Sequence, residues 1–461
     1  MIQNVITLIK EWAAEFGATN EKEFSKSYIL RENIKPDALK DNGAFFGFIH
    51  PDEETSGAYH DYSFVIFPTE EEKPWVVSFC IGSSNFKRDY EMASRPGLRR
   101  LFSNLTNNDG YCSTDFTNTT SSLPSNFSKK SKIQHLSRTI GKYSSVINSC
   151  QIIENPLSEE GKKYIKGFLA AYAKVRGWPT NPKHRGAVLK ALKPFQNEKL
   201  EDDRDLIFEL LKERRFVILQ GPPGTGKTTL AKEIATKSSA KSFFTQFHAE
   251  TTYSDFIYGI RPNILSGGLS YEGTLGNLAE AVLYARDYPN EKVVLIIDEI
   301  NRANLSNVLG PVFYLFEHKM KEADVSIKIA PGLEIKQLPS NFYVVATMNT
   351  ADRSLAVVDF ALRRRFAWYT VKPKPIQGAN FYKGDFNKIA EIFDWYATSN
   401  ELNLQPGQGY FLANSDEEME NRIRYEIFPL IREYIQEGLL TSAIEEFNNY
   451  FTDRINQPLF E

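Results

Sequence analysis

The chain has 461 residues, 42% of them apolar and 25% charged, with a formal charge of −3. That is the composition of an ordinary globular protein, long enough for roughly two to four domains, and it excludes a global field toward nucleic acid or membrane, so any such surface is local. No run of eighteen apolar residues is present, which argues against a membrane-spanning helix. Three cysteines without metal-ligand spacing (Cys80, Cys112 and Cys150) argue for a reducing compartment.

The chain opens with an amphipathic pattern, Val5, Leu8, Ile9, Trp12, Ala13 and Phe16, broken by Lys10, Glu11 and Glu15. A signal peptide needs an unbroken apolar stretch, so a helix is expected here and the protein is expected to be cytoplasmic. "YSFVIFP" (62–68) and "PWVVSFCIG" (74–82), separated by the acidic "TEEEK", predict a β-hairpin. From 94 to 145 the composition turns to Ser, Thr and Asn, with eight Lys/Arg (Arg95, Arg99, Arg100, Lys129, Lys130, Lys132, Arg138, Lys142) against Asp109 and Asp115. With Tyr111, Phe116 and Phe127 this stretch offers what DNA recognition needs, cations for phosphates and aromatics to stack on a flipped base. A solvated loop beside core aromatics has the same composition. Residues 1–150 are read as an N-terminal α+β domain, and 151–198 as a helix followed by the connector "GWPTNPKHRG", where Pro and Gly mark a boundary.

A helix, "DLIFELLKERR" (205–215), then opens alternating strands and helices over 199–375, the pattern of an α/β domain with a parallel sheet flanked by helices. In "FVILQGPPGTGKTTL" (216–230) a strand, Phe216 to Leu219, leads into G-x-x-x-x-G-K-[ST] and a helix beginning near Lys227. Gly221, Gly224 and Gly226 let backbone N–H groups turn inward around phosphates, with the helix N-terminus behind them. Pro222, Pro223, Thr225 and Thr229 complete the loop, Lys227 reaches the outer phosphates, and the Thr228 hydroxyl ligates Mg²⁺.

"VVLIIDEINRANLS" (293–306) is an apolar strand, Val293 to Ile297, ending in Asp298 and Glu299. A strand buried on both faces presents acids at its C-terminal end, where ligands bind in parallel sheets. Asp298 suits the Mg²⁺ hydration shell and Glu299 the polarising of an attacking water. The bland alternative is a strand that ends in a polar turn. "FYVVATMNTADRS" (342–354) is a third buried strand, Phe342 to Thr347, delivering Asn349, whose amide can donate to a γ-phosphate and accept from water.

"MNTADRSLAVVDFALRRRF" (348–366) predicts a short apolar helix, Leu355 to Leu362, that runs into Arg363, Arg364 and Arg365. Successive helical residues fan out by about 100°, so the three cannot share one partner. A solvated helix end would explain them, and so would a strongly anionic neighbour. Residues 376–461 read as a helical lid in which no sensor arginine stands out, Arg422 and Arg424 being the candidates.

Loop, acids and amide in this order resemble the AAA+ P-loop NTPases; the N-K-x-D signature of small GTPases is absent. "QGPPGTGKT", "QFHAETTYSDFIYGIRP" (246–262), "IIDEINRANLS", the 348–366 tract and "GQGYF" (407–411) together resemble the McrB family, motor subunits of McrBC-type 5-methylcytosine-dependent restriction systems, over about residues 200–435. The resemblance implies a hexameric ring that hydrolyses GTP or ATP and is stimulated by a McrC-like endonuclease subunit. It implies that Asn301 and Asp359 position the hydrolytic water beside Glu299. It implies Arg364 as a finger acting on the neighbouring subunit's phosphate and Arg365 as a second phosphate or interface contact. Arg363 lies four residues after Asp359, a spacing that allows the two to pair across one turn. "GQGYF" departs from the family pattern, which commonly has Gly-His-Ser before Tyr-Phe, so Gln408 and Gly409 are given no role. Residues 44–150 resemble, faintly, the modified-DNA-sensing domain of some McrB proteins. No nuclease pattern is read, so cleavage would belong to a partner. A MoxR- or dynein-related remodeller of protein partners is the alternative, and a silent ring is argued against by the presence of Lys227, Glu299 and the arginine tract.

Overall fold

A computed structural model describes residues 1–19, 27–41, 43–54, 56–57, 59, 61–69, 74–82, 95–113, 146–195, 203–263, 270–317, 326–351 and 360–460. The chain divides into two compact units, residues 1–199 with 394–398, and residues 200–393 with 399–461.

The first unit is built on an antiparallel sheet of six strands, β1 (Ile29–Asn33), β2 (Phe45–Ile49), β3 (Ser63–Phe67), β4 (Trp75–Cys80), β5 (Gly110–Cys112) and β6 (Ile147–Ile153), in the order β1-β2-β3-β4-β6-β5. The expected hairpin is β3–β4, with Phe67 opposite Val76. Alternation along the strands sends Phe46, Phe48, Phe64, Trp75, Val77 and Phe79 into one core with helices α1 (Ile2–Glu15), α2 (Pro96–Asn104) and α3 (Glu159–Val175). In α1 the buried residues Val5, Ile6, Ile9 and Ala13 recur at helical spacing, as the opening pattern predicts. Ser158 caps α3 by accepting from Gly161 N–H at 3.0 Å.

The Pro- and Gly-bearing connector folds further than its composition suggests. Asn181 accepts from His184 N–H at 2.9 Å and Pro182 occupies the first turn, which together start helix α4 (Pro182–Leu192). Tyr164, Phe168, Tyr172, Val188 and Leu192 of α3 and α4 belong to the first core, and residue 150 lies inside β6. The segment 151–195 is thus part of the first unit's body. Of the aromatics singled out in the basic stretch, Tyr111 lies on β5, while Phe116 and Phe127 fall outside the described residues.

The second unit holds a parallel sheet of β7 (Phe216–Gly221), β8 (Lys241–Gln246), β11 (Val293–Asp298), β14 (Phe342–Asn349) and β15 (Ala367–Thr370), ordered β15-β7-β14-β11-β8. Its residues alternate between two cores. Phe216, Ile218, Leu295, Ile297, Val344 and Ala346 face the layer containing α7 (Asn277–Asp287), whereas Val217, Leu219, Val294, Ile296 and Val345 face α5 (Asp203–Arg214) and α6 (Lys227–Lys237). Burial on both faces is why β7, β11 and β14 read as unbroken apolar runs. Two hairpins, β9–β10 (Tyr258–Asn263 and Ser270–Leu275) and β12–β13 (Ile327–Ala330 and Leu333–Ile335), stand apart from the sheet. The C-terminal part is helical, with α9 (Lys383–Tyr396), α10 (Asp416–Arg422), α11 (Phe428–Gln436) and α12 (Ile444–Ile455). No helix among the described residues is long and apolar enough to cross a membrane.

Candidate functional site

The parallel register brings three strand ends together. Gly221 at the end of β7 lies opposite Asn349 at the end of β14, and β11 pairs with the other side of β14, so that Asp298 and Glu299 emerge beside them. Ligands bind at such carboxyl ends.

Between β7 and α6 the loop turns through Gly224 and Gly226, both in the left-handed region (φ +77° and +80°) that glycine adopts without strain. Lys227 is 6% exposed. Its Nζ donates to the carbonyls of Gly221 (3.0 Å) and Pro222 (2.8 Å) and to Asn349 Oδ1 (2.6 Å). Thr225 Oγ1 donates back to Pro222 O at 2.9 Å, the Pro223 carbonyl faces away from Lys227 toward Gly407, and Thr229 lies on the exposed side of the helix's first turn.

Thr228 Oγ1 donates to Asp298 Oδ1 at 2.7 Å. A hydroxyl and a buried carboxylate held this close are hard oxygen donors, the set a magnesium ion accepts, so the residues present fit that ion. Asn349 bridges the two halves of the site: its Oδ1 takes Lys227 and its Nδ2 donates to Glu299 Oε1 at 2.6 Å. Glu299 itself sits at φ +54°. A non-glycine residue there stores roughly 1–3 kcal/mol and persists only where its surroundings hold it. Asn301, in the 3₁₀ turn that follows, is 4% exposed; its Nδ2 reaches Asn349 O at 3.4 Å, and its buried Oδ1 makes no hydrogen bond among the described residues. That acceptor suits a water held near Glu299.

Thr347 was not singled out by the sequence. Its Oγ1 donates to Asp298 Oδ1 at 2.6 Å and accepts from Glu299 N–H at 3.1 Å, tying both acids to β14. The only signal for it was a hydroxyl inside the apolar run "VVATM", where threonine reads as ordinary strand filler.

The arginine tract resolves into three environments. Helix α8 spans Phe360–Arg365; residues 352–359, including Asp359 and the first part of the expected helix, lie outside the described residues. Arg363 lies over the Trp368 ring at 5.5 Å, and the Trp368 indole donates to Arg363 O at 3.2 Å. Arg364 reaches Glu317 Oε1 at 2.6 Å with its side chain 69% exposed. Arg365 turns inward. It takes the same Glu317 oxygen at 2.7 Å, lies 4.3 Å from the Phe313 ring centroid and is 10% exposed. Glu317 was invisible to sequence reading because nothing in a 47-residue separation marks a partner.

Residues 216–366 match the AAA domain of the dynein-related subfamily. The chain is 40% identical over 177 residues to the type IV methyl-directed restriction enzyme EcoKMcrB subunit of Escherichia coli (strain K12), covering 37% of this chain and 38% of that protein. It is 30% identical over 189 residues to the type II restriction enzyme BsuMI component YdiS of Bacillus subtilis (strain 168), covering 33% of this chain and 55% of that protein. The chain therefore spans between about two fifths and somewhat over half the length of these relatives. A RuvB mutant from Thermotoga maritima is 18% identical over 55% of this chain and 70% of its own, with a TM-score of 0.26. The second unit carries an AAA domain, an α/β P-loop NTPase core.

Proposed function

We propose that this AAA+ chain hydrolyses GTP or ATP as the DNA-recognising and translocating motor subunit of a modification-dependent restriction system, in a hexameric ring with a McrC-like endonuclease subunit. The observation that carries the reading is the convergence of Lys227, Thr228, Asp298, Glu299, Asn301 and Asn349 at three adjacent strand ends. Their neighbourhood is similar in sequence to two restriction-system subunits.

In this reading the loop N–H groups and Lys227 hold the phosphates. Thr228 and Asp298 would hold Mg²⁺, which neutralises charge developing on the phosphate oxygens. Glu299 accepts the proton of the attacking water, which Asn301 Oδ1 and Asp359 orient. Asn349 links Lys227 to Glu299, so contact with the terminal phosphate can be relayed to the acid. Arg364, exposed at the end of α8, reaches the neighbouring subunit's phosphate.

The first unit would read the DNA. The sheet face away from α1 and α3 carries a cavity of about 180 Å³ lined by Arg31, Phe45, Tyr59, Phe67 and Cys80. Drug-sized pockets run roughly 300–1,000 Å³, so this one suits a single small ring system such as a flipped base. Phe45 and Phe67 supply apolar walls. Arg31 lines the cavity, and its guanidinium would donate to a base carbonyl there. Burial and the nearby Cys80 raise the Tyr59 hydroxyl well above its ordinary pKa, so it stays a neutral donor.

The test is turnover of GTP and of ATP by the purified chain, alone and with a cognate McrC-like subunit, in the presence of methylated and unmethylated duplexes. Stimulation by the subunit and binding of methylated duplex are expected. Lys227→Ala should abolish nucleotide binding, and Glu299→Gln should bind nucleotide but stop turnover. A remodeller of protein partners is the second reading, favoured by the dynein-related match; it predicts turnover indifferent to both DNA and the nuclease subunit.

A further inference from the structure

Residues 407–410 belong to no role assigned above, yet they lie directly on the phosphate loop. Gly407 N–H donates to Pro223 O at 2.9 Å and Gly409 N–H to Gly224 O at 2.9 Å. Gln408 Nε2 donates to Thr225 O at 2.9 Å, and its Oε1 accepts from Lys374 N–H at 3.3 Å. The contact is close. A Cβ on Gly407 would stand 2.2 Å from the Gly224 carbonyl carbon, and one on Gly224 would stand 2.7 Å from the Tyr410 ring. Arg422 Nη1 donates to Gly409 O at 3.2 Å, anchoring the segment to helix α10.

The physical consequence follows from peptide planarity. In a trans peptide the carbonyl of one residue and the N–H of the next point in opposite directions. Lys227 holds the carbonyls of Gly221 and Pro222; the 407–410 segment holds the next three, of Pro223, Gly224 and Thr225. With those three carbonyls bound on the lid side, the N–H groups of Gly224, Thr225 and Gly226 point the other way, into the cradle where a phosphate loop receives its anion. Left to itself, a loop with two residues in the left-handed region has other conformations within reach.

We propose that the 407–410 segment orients the phosphate loop and that Gln408 is its positioning side chain, setting affinity for the β-phosphate of a nucleoside di- or triphosphate. The proposal rests on reading residues 221–228 as a nucleotide loop. Gln408 does not touch the anion; it fixes the Thr225–Gly226 peptide and braces it against the backbone after β15. Movement of α10 would release this hold through Arg422 and Gly409, so nucleotide affinity and the seating of the lid are coupled.

The experiment titrates fluorescent GDP and ADP into the full-length protein and into Lys227→Ala, Gln408→Ala, Gln408→Glu and Gln408→His, with thermal melts of each. Gln408→Ala is expected to weaken the diphosphate that wild type binds by about tenfold, the scale of one lost hydrogen bond plus a freed peptide, and to raise KM while leaving kcat at saturation near wild type. Gln408→Glu, almost isosteric but turning an acceptor oxygen toward the Thr225 carbonyl instead of a donor, should weaken the diphosphate at least as much. Gln408→His, whose ring N–H can donate to the same carbonyl, should recover most of the affinity. A Gln408 that only stabilises the fold would lower the melting point in Gln408→Ala and leave affinity unmoved, and that result overturns the proposal. If Lys227→Ala binds diphosphate like wild type, the nucleotide-loop reading fails. If Lys227→Ala abolishes binding while Gln408→Ala and Gln408→Glu bind normally, only the role of Gln408 falls.

Discussion

Arg364 Nη2 stands 2.6 Å from Glu317 Oε1, and that same oxygen takes Arg365 at 2.7 Å, so one carboxylate holds two consecutive guanidiniums in different surroundings. The Arg364 side chain is 69% exposed and that of Arg365 only 10%. An exposed ion pair contributes about 0–1 kcal/mol. Disrupting a buried one costs several times as much, here with the Phe313 ring contact in addition.

The two arginines should therefore fail differently. Arg364→Ala is expected to melt within about 1 kcal/mol of wild type and to bind nucleotide normally, while turnover falls at least about a hundredfold. Arg365→Ala is expected to lose roughly 2–4 kcal/mol of stability in urea melts. Turnover at the wild-type rate in Arg364→Ala would remove the trans finger. An Arg365→Ala variant that melts normally but does not hydrolyse would support the second phosphate or interface contact that the resemblance implies for Arg365.

Thr347 makes a second contrast possible. Replacing it with Val keeps shape and strand propensity but leaves the Glu299 N–H without its acceptor and takes from Asp298 Oδ1 one of its two hydroxyl donors, Thr228 remaining. A buried polar group left unmade costs about 1–3 kcal/mol, and Glu299 is at φ +54°, held in place partly by this bond. Thr347→Val should lower both the urea midpoint and kcat, the latter by about tenfold, with nucleotide affinity retained through Lys227. Unchanged kcat would mean that Thr347 does not help to hold Glu299.

These cases also mark what the sequence could and could not reveal. The strands 216–221, 293–298 and 342–349 were legible because a parallel strand buried on both faces must be apolar throughout and can place Gly221, Asp298 and Asn349 only at its end. The connector at 177–186 reads two ways, because Pro182 and Asn181 are as much a helix start as a break. Glu317, Thr347 and Gln408 were hidden for a different reason. Each acts through a partner fixed by tertiary packing, at separations of 47 residues from Arg364, 49 from Asp298 and 183 from Thr225, where no periodicity links the two.

The buried thiols give the first unit a defined alkaline weakness. Burial pushes Cys80 up to about 12 from 9.0 and raises Cys150 as well. A thiol that ionises near its ordinary value when unfolded but stays protonated when folded leaves stability unaffected below pH 9. Above it the unfolded state releases a proton that the native state keeps, so stability falls by at most about 1.4 kcal/mol per pH unit for each group until the folded value is reached. Urea midpoints should be flat from pH 7 to 9 and decline from 9 to 11, and Cys80→Ala should make that decline shallower. An equal slope in Cys80→Ala would mean that this thiol is not protected in the native state.

Under the proposed function, the cavity on the same sheet would meet a DNA base through one side chain. Arg31 lies 5.6 Å from the Tyr59 ring centroid, donates to Gly57 O and lines the cavity. If a flipped base enters here, Arg31 contributes to the difference between modified and unmodified duplex rather than to backbone attraction, which depends on salt and on surface cations. Arg31→Ala should weaken binding of a methylated duplex by about tenfold or more, on the scale of one charge-assisted hydrogen bond, while binding of unmodified duplex and the slope of affinity against salt concentration stay as in wild type. Arg31→Lys, which keeps the charge but not the planar fork, should fall between the two. A uniform loss on both duplexes would make Arg31 a phosphate contact, and no loss on either would take base reading away from this cavity.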